Sequence, residues 1–241
     1  MLERAIMLVS SAIRNPQSPL SGVVVAIPAC NEQARIGTVV GGCKARGIEI
    51  WVVDDGSSDR TADQARRAGA RVFSHEKNLG KGMAIRTAMR EFLKSSHDFL
   101  VFMDADGQHD PAHLPAFVET ARSTGAALVV GNRMGAAEDM PWVRRLTNRF
   151  MSRVVSCFAR QRVPDSQCGY RLVNREFAAR FRPTTSRFDL ESEMLIQAGR
   201  LNLRIESVPI TTIYQKQASH IRPLRDTLRF LKLLARYTGS P

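Results

Sequence analysis

Five apolar residues, Phe99 to Met103, run without a break and stop at Asp104, opening the stretch Asp104-Ala-Asp-Gly-Gln-His-Asp-Pro111. An unbroken apolar run this short reads as a strand buried on both faces, the condition of a parallel sheet covered by helices. Such a strand constrains the whole chain, because parallel neighbours require long, usually helical, crossovers. Asp104 and Asp106 stand at its carboxyl end, where open α/β sheets bind their ligands. If the backbone stays extended there, residues i and i+2 point to the same side and both carboxylates converge. Two such carboxylates repel unless a cation or proton joins them, and oxygen ligands suit Mg²⁺ or Mn²⁺. Gln108 adds an amide oxygen. Asp-x-Asp-Gly also serves in ordinary turns. A calcium loop is excluded, since that pattern needs a third acid before the Gly and a Glu near its end.

The flanking sequence supplies the crossovers. Val23 to Ile27 is a second unbroken apolar run, closed by Pro28. Ile48 to Val53 ends in Asp54-Asp-Gly-Ser-Ser-Asp59, Arg71 to Ser74 is short, and Ala127 to Val130 closes on Gly131-Asn-Arg133. Between them the spacing predicts helices over 33–46, 60–68, 83–94 and 110–123. Strands alternating with helices mean βαβ units and a mostly parallel sheet. Beyond this, Trp142 to Arg160 reads as a long basic helix, Asp165 to Asn174 as a compact loop and short strand, 188–199 as a helix and 203–208 as a strand. Pro223 to Tyr237 reads as a helix with Leu224, Leu228 and Leu231 on one face and Arg225, Arg229, Lys232 and Arg236 on the other. Such a helix suits an anionic membrane surface, or packs on the domain with a solvated basic side. The division expected is an extension and linker over 1–22, an α/β domain over 23–221 and a basic amphipathic helix over 222–241.

Charge narrows the partners. Lys and Arg number 35 against 23 acidic residues, a net charge of +12, which favours an anionic partner. Aromatic content is 7%, too thin for a base-stacking surface. Acids at the strand tips also oppose a phosphate-backbone groove, so nucleic acid is not expected. Cys30, Cys43, Cys157 and Cys168 form no Cys-x-x-Cys pair and fit reduced thiols in a cytosol. Ile6 to Val9 is too short for a membrane span or a signal-peptide core.

Two phosphate motifs fail. Gly80-Lys81-Gly82 lacks the Ser or Thr that a P-loop places after its Lys, and no Gly-x-Gly-x-x-Gly follows the first strand. His109 and His113 lack the Glu of a zinc helix, and Pro111 lies between them. What remains is four strand ends carrying polar signals: Pro28-x-x-Asn-Glu32, Asp54-Asp-Gly-Ser57, Asp104-x-Asp106 and Gly131-Asn-Arg133. In one sheet these gather along one edge as a nucleotide cleft.

The ordered set Val25-Ala-Ile-Pro-Ala-Cys-Asn-Glu32, Val53-Asp-Asp-Gly-Ser-Ser-Asp-Arg-Thr61, Asn78-Leu-Gly-Lys-Gly-x-Ala84 and Asp104-Ala-Asp-Gly-Gln-His-Asp-Pro111 resembles the family 2 glycosyltransferases. Within them it is most similar to the dolichol-phosphate mannosyltransferase-like, polyprenyl-phosphate branch. Asp165-x-x-Cys-Gly-Tyr-Arg171, Phe188-x-x-Glu-x-Glu193 and Ser219-His-x-x-Pro-x-x-Asp226 continue the resemblance. It implies a GT-A fold, with a Rossmann-like, mostly parallel sheet flanked by helices. It implies a nucleoside pocket at Pro28, Cys30, Asn31, Glu32, Val53 and Asp54. It further implies Mg²⁺ or Mn²⁺ held by Asp104, Asp106 and Gln108, with Ala105 beside them, against the donor diphosphate. Ser219 and Arg222 match the region that closes over that diphosphate.

The acceptor follows from chemistry. A hydroxyl needs a general base, and Asp189-Leu-Glu-Ser-Glu193 lacks the Glu-Asp pair many members carry; Glu191 is the candidate that remains. A phosphate is already anionic and needs only cations, for which Arg133, Arg145 and Arg171 are candidates. The first expectation is therefore an inverting transfer from a GDP- or UDP-sugar to a polyprenyl or dolichyl phosphate, with Asp104, Asp106 and Arg133 in the machinery. The alternatives are transfer to a hydroxyl of a glycan or glycolipid, and a nucleotidyltransferase. Several relatives carry transmembrane helices after the catalytic domain, whereas this chain stops at Pro241. The expectation is peripheral action on the inner face of the membrane, or a separate membrane partner.

Overall fold

The computed structural model describes residues 19–136, 140–187, 189–212 and 223–238. In chain order these form β1 (Val23–Ala29), α1 (Ile36–Lys44), β2 (Glu49–Asp54), α2 (Thr61–Arg67), β3 (Arg71–Ser74), α3 (Lys81–Lys94) and β4 (Phe99–Phe102). A 3₁₀ turn, Pro111–His113, leads into α4 (Leu114–Thr124) and β5 (Leu128–Asn132). Then come α5 (Trp142–Ala159), β6 (Arg171–Asn174), α6 (Arg175–Arg180), α7 (Asp189–Arg200), β7 (Ile205–Pro209) and α8 (Pro223–Thr238).

The strands make one seven-stranded sheet in the order β3-β2-β1-β4-β6-β5-β7. β1 runs parallel to β2 and β4, β2 to β3, and β5 to β7. β6 is antiparallel to both β4 and β5, so those two share a direction. The carboxyl ends of β1, β2, β4 and β5 therefore lie along one edge, which places the four polar tips side by side. The α/β class and the mostly parallel sheet expected from sequence are borne out.

Apolar burial explains the arrangement. Every residue of β1 is buried, as a strand needs when helices cover both its faces. Pro28 has no N–H to give; its neighbour β4 stops pairing at Phe102 opposite Ala26, so the proline sits past that ladder. Ile36, Val39, Val40 and Cys43 turn one face of α1 to the sheet, and Ile85, Ala88, Met89 and Phe92 do so from α3. Each fully buried large apolar side chain contributes about 1.5–3 kcal/mol.

Several boundaries differ from the sequence reading. β4 ends at Phe102, and the chain turns at 105–107 with Gly107 at φ +77°, so Asp104 and Asp106 are not on an extended tip. α3 begins at Lys81, two residues early, because Gly80 at φ +98° breaks the chain just before it. α6 lies where no helix was expected; Asn174 caps it by accepting from Phe177 N at 2.8 Å. The C-terminal helix packs on α7 through Phe230, Leu233 and Tyr237, while Leu231, expected on the packed face, is exposed. The side chains of Leu224, Arg225 and Leu228, the extension up to residue 18, and Ser219 and Arg222 lie outside the described residues.

Glu193, buried on α7, ties this end together. Oε1 accepts from Thr184 N at 2.9 Å and Thr184 Oγ1 at 2.6 Å; Oε2 accepts from Thr185 N at 3.0 Å and Thr185 Oγ1 at 2.7 Å. Gln197 Nε2 and Tyr237 OH donate to Oε1 at 3.2 and 3.1 Å, bringing α8 into the same knot. Burial alone would raise this carboxyl, but the Thr184 and Thr185 donors outweigh it and hold it below the ordinary glutamate range. A carboxyl depressed on folding stabilises fully above its unfolded value of about 4.3 and loses that contribution as pH falls below it. Glu193→Gln is expected to cost about 2 kcal/mol at neutral pH. In urea titrations the gap between wild type and variant should close as pH drops below about 4; a gap independent of pH would refute the assignment.

Candidate active site

The first two strand tips are stitched to each other. Asn31 sits at φ +56°, a conformation Asn tolerates. Its N–H donates to Ser57 Oγ at 2.9 Å, and its Oδ1 accepts from Ser58 N at 2.9 Å. Glu32 N donates to Thr61 Oγ1 at 2.8 Å. Asp54, buried at the end of β2, accepts from Ser57 N at 3.3 Å and from the Ser57 hydroxyl. Pro28 and Val53 are register partners across β1 and β2. Cys30 Sγ accepts from Asn78 Nδ2 at 3.2 Å, and burial pushes its thiol up, so it stays protonated at neutral pH. The six expected nucleoside-pocket residues thus share one pair of loops.

Asp55 carries the order onward. It accepts from Leu79 N at 2.9 Å and Gly80 N at 2.7 Å, and His75 Nδ1 lies 2.8 Å away. This fixes the loop that launches α3 at Lys81. A Cβ on Gly82 would come within 2.4 Å of Ser186 C, so glycine there lets residues 184–187 close over the start of α3.

Lys81 is the residue the sequence reading missed. Its Nζ lies 2.6 Å from Asp104 Oδ1 and 3.1 Å from Glu191 Oε1, at the first turn of α7. Asp104 Oδ2 meets His109 Nε2 at 3.3 Å. Burial opposes the charge on Asp104, but Lys81 and His109 outweigh it and hold the carboxyl far below the usual range. Burial likewise opposes the charge on Lys81, and Asp104 and Glu191 outweigh it, holding the ammonium above the usual lysine range. Asp104 and Lys81 are therefore both ionised at neutral pH. A Cβ on Gly169 would strike Asp104 Oδ2 at 2.3 Å, so only glycine lets that loop pass the carboxylate. The Gly80-Lys81-Gly82 string was visible in sequence, as a failed P-loop and within the Asn78–Ala84 motif of the resemblance, but Lys81 was given no role there.

Asp106 takes a different environment. It is half-buried in the turn and accepts from Gln108 N at 3.0 Å, with Ala105 buried before it. His109 is buried against Tyr170, ring centroids 5.1 Å apart, and bridges to Thr212. His109 Nδ1 and Thr212 Oγ1 are buried with no hydrogen-bond partner among the described residues.

The expected acceptor arginines are placed unequally. Arg171 is buried and donates to Cys168 O and Ser166 O, each at 2.7 Å, and to Glu191 O. Arg133 is buried in a bidentate pair with Asp165, Nε–Oδ2 2.7 Å and Nη2–Oδ1 2.9 Å. Asn148 of α5 donates to the same Asp165 at 2.8 Å. Burial would raise Asp165, and Arg133 and Asn148 outweigh it and keep it ionised. Both guanidiniums thus hold loops to the sheet. Arg145 is half-buried on the first turn of α5, and exposed Arg187 lies beside Gly80.

A divalent cation fits the donor set. Among the described residues no three His, Cys, Asp or Glu side chains form a cage. Mg²⁺ characteristically takes one or two carboxylates and fills its octahedron with substrate phosphate and water. Asp106 and the Gln108 amide offer such a partial set, beside Asp104, whose oxygens meet Lys81 and His109.

The family model for glycosyl transferase family 2 matches residues 24–181. The chain is 30% identical over 211 residues to an undecaprenyl-phosphate mannosyltransferase of Micrococcus luteus, covering 79% of this chain and 83% of the relative. It is 30% identical over 203 residues to a dolichyl-phosphate hexose transferase of Haloferax volcanii, covering 83% and 86% respectively. Among solved structures, glucosyl-3-phosphoglycerate synthase from Mycobacterium tuberculosis in complex with Mg²⁺ and uridine diphosphate aligns with a TM-score of 0.68 at 25% identity, over 91% of this chain and 80% of that one. The matched span runs from β1 past α6 and takes in the tips of β1, β2, β4 and β5, and with the sheet order it shows that the chain belongs to glycosyl transferase family 2, as a glycosyltransferase of GT-A fold.

Proposed function

We propose that this enzyme moves a sugar from a nucleoside-diphosphate donor, GDP- or UDP-linked, to a polyprenyl phosphate, acting peripherally at the inner face of the membrane. One observation carries the choice of acceptor: Glu191, the carboxylate a hydroxyl acceptor would need as base, is spent on Lys81 beside Asp104. A base already paired with an ammonium is a poor proton acceptor. A phosphate acceptor needs none, because it is ionised at neutral pH. The likeness to an undecaprenyl-phosphate mannosyltransferase and a dolichyl-phosphate hexose transferase supports the same acceptor class.

In this reading an acceptor phosphate oxygen attacks the anomeric carbon in line. The bond from that carbon to the donor's β-phosphate oxygen breaks, and the nucleoside diphosphate leaves with the electron pair. The loops of β1 and β2 hold the nucleoside through Pro28, Cys30, Asn31, Glu32, Val53 and Asp54. Lys81, kept cationic by Asp104 and Glu191, faces the diphosphate. Asp106 and Gln108 would hold Mg²⁺ or Mn²⁺, which neutralises charge on the leaving group when bound. The Mg²⁺ and uridine diphosphate in the solved relative support this. Arg133, Arg145 and Arg171 are the candidates to meet the acceptor phosphate, Arg145 from the first turn of α5.

Release of nucleoside diphosphate from UDP- and GDP-sugars, with Mn²⁺ or Mg²⁺ and with or without polyprenyl phosphate, tests the reading. Lipid-dependent release is expected from one donor, falling at least about 10²-fold in Asp106→Ala. Release of pyrophosphate would instead identify a nucleotidyltransferase. Release only with an alcohol acceptor, abolished in Glu191→Gln, would move the function to hydroxyl transfer. Lys81→Met is expected to lower kcat/KM about 10²–10³-fold; retention of full activity would remove Lys81 from the machinery. Gly169→Ala should displace the Asp104 carboxylate and lower kcat on the order of 10²-fold, and unchanged kinetics with a folded protein would contradict the close approach.

A further inference from the structure

Helix α5 has a second apolar face that none of the described residues covers. Its packed face carries Asn148, Ser152, Val155 and Ala159. On the opposite side Trp142, Leu146 and Phe150 stand a turn apart with Val143 beside them, and Trp142, Val143, Leu146 and Phe150 are 72%, 54%, 61% and 64% exposed. The other large hydrophobics exposed among the described residues are Leu93 and Leu231, far apart in the chain. Scattered apolar residues on a surface are ordinary, whereas a contiguous patch marks an interaction site.

Charge selects the occupant. α5 carries Arg144, Arg145, Arg149 and Arg153 and no Asp or Glu. Arg144, Arg149 and Arg153 are exposed. A stripe with a Trp and a Phe, accompanied only by arginines, matches the boundary between acyl chains and anionic headgroups. The stripe from Trp142 to Phe150 is about 12 Å long at 1.5 Å per residue, so it reaches along a surface and not through one. No helix among the described residues is long and apolar enough to cross a membrane. The sequence reading left the C-terminal helix either on a membrane or packed on the domain, and Phe230 and Leu233 of that helix are buried in the packing against α7.

We propose that the Trp142–Val143–Leu146–Phe150 face of α5 lies flat in the headgroup region of an anionic bilayer, with Arg149 and Arg153 against lipid phosphates. The proposal deepens the lipid-acceptor reading and rests on it for the presence of a bilayer at the site; its test uses no substrate.

Full-length protein is mixed with vesicles of phosphatidylglycerol and phosphatidylcholine, or of phosphatidylcholine alone, and sedimented. Wild type is expected to bind the anionic vesicles, and Trp142 to be quenched by lipids brominated near the carbonyl end of their chains. Trp142→Ser/Leu146→Ser/Phe150→Ser should lower the partition coefficient roughly tenfold or more. Arg149→Glu/Arg153→Glu should lower it on anionic vesicles with the stripe intact. Both variants change exposed side chains, and turnover of a water-soluble short-chain isoprenyl phosphate should stay at the wild-type level. Equal sedimentation of wild type and the stripe variant, or binding indifferent to lipid charge, overturns the proposal. So does a lipid-free oligomer that the stripe variant dissociates while vesicle binding persists, since the face would then join two copies of this chain. Failure of every sugar donor with the soluble acceptor would sink the functional reading and leave the vesicle result standing.

Discussion

One ammonium group joins three parts of the molecule. Lys81 begins α3, Asp104 follows β4, and Glu191 lies in the first turn of α7. A lysine is poorly placed at a helix N-terminus, where the backbone dipole is positive, at a cost of about 0.3–1 kcal/mol. No acidic residue stands in the first turn of α3 to relieve it. Two carboxylates from elsewhere do so, and each such pair near a protein surface attracts by about 4 kcal/mol before desolvation is subtracted. The lysine is held where its own helix disfavours it, and its position therefore depends on carboxylates that tertiary structure brings to it. Glu191 in turn sits at the favourable end of α7, where the dipole welcomes an acid.

The arginines nearby explain why that geometry is rigid. Arg171 reaches from β6 to the carbonyls of Ser166, Cys168 and Glu191, so the residue whose side chain meets Lys81 is also held by its own main chain. Arg133 and Asn148 fix Asp165 and with it the loop that brings Gly169 against Asp104. Burying a guanidinium is costly unless its donors are satisfied and its charge balanced. Here Arg133 has Asp165, and Arg171 spends its donors on carbonyl oxygens. These side chains look like anion ligands in a one-dimensional reading and behave as struts in three dimensions.

That difference marks the boundary of what the sequence could tell. The sheet and its polar edge were legible because they rest on local signals: unbroken apolar runs at 23–27 and 99–103, turn residues after each, and helical spacing between. Acids at the ends of β2 and β4 could be assigned to one edge from strand direction alone. Which arginine is buried was not legible, since Arg133, Arg145 and Arg171 differ in three-dimensional contacts, Arg133 with Asp165 across 32 residues and Arg171 with Glu191 O across 20. Lys81 was hidden for the same reason: its partners are 23 and 110 positions away. The C-terminal helix misled because it has apolar residues on more than one side, and periodicity does not say which side finds a partner. Phe230 and Leu233 meet α7, and Leu231 does not.

Helix α5 has the same two-sidedness put to use. Its inner face supplies Asn148 to the Asp165 cluster, and through that cluster it is tied to the loop beside Asp104. Its outer face presents Trp142, Leu146 and Phe150. With the outer face on a bilayer, the inner face of the same helix would still hold the loop beside Asp104. Arg145 lies half-buried on the flank between the two faces. A phosphate on a membrane-embedded isoprenoid then needs no extraction from the lipid: the helix that orders the loops of the site also sets its depth, and the acceptor arrives along the basic flank of that helix.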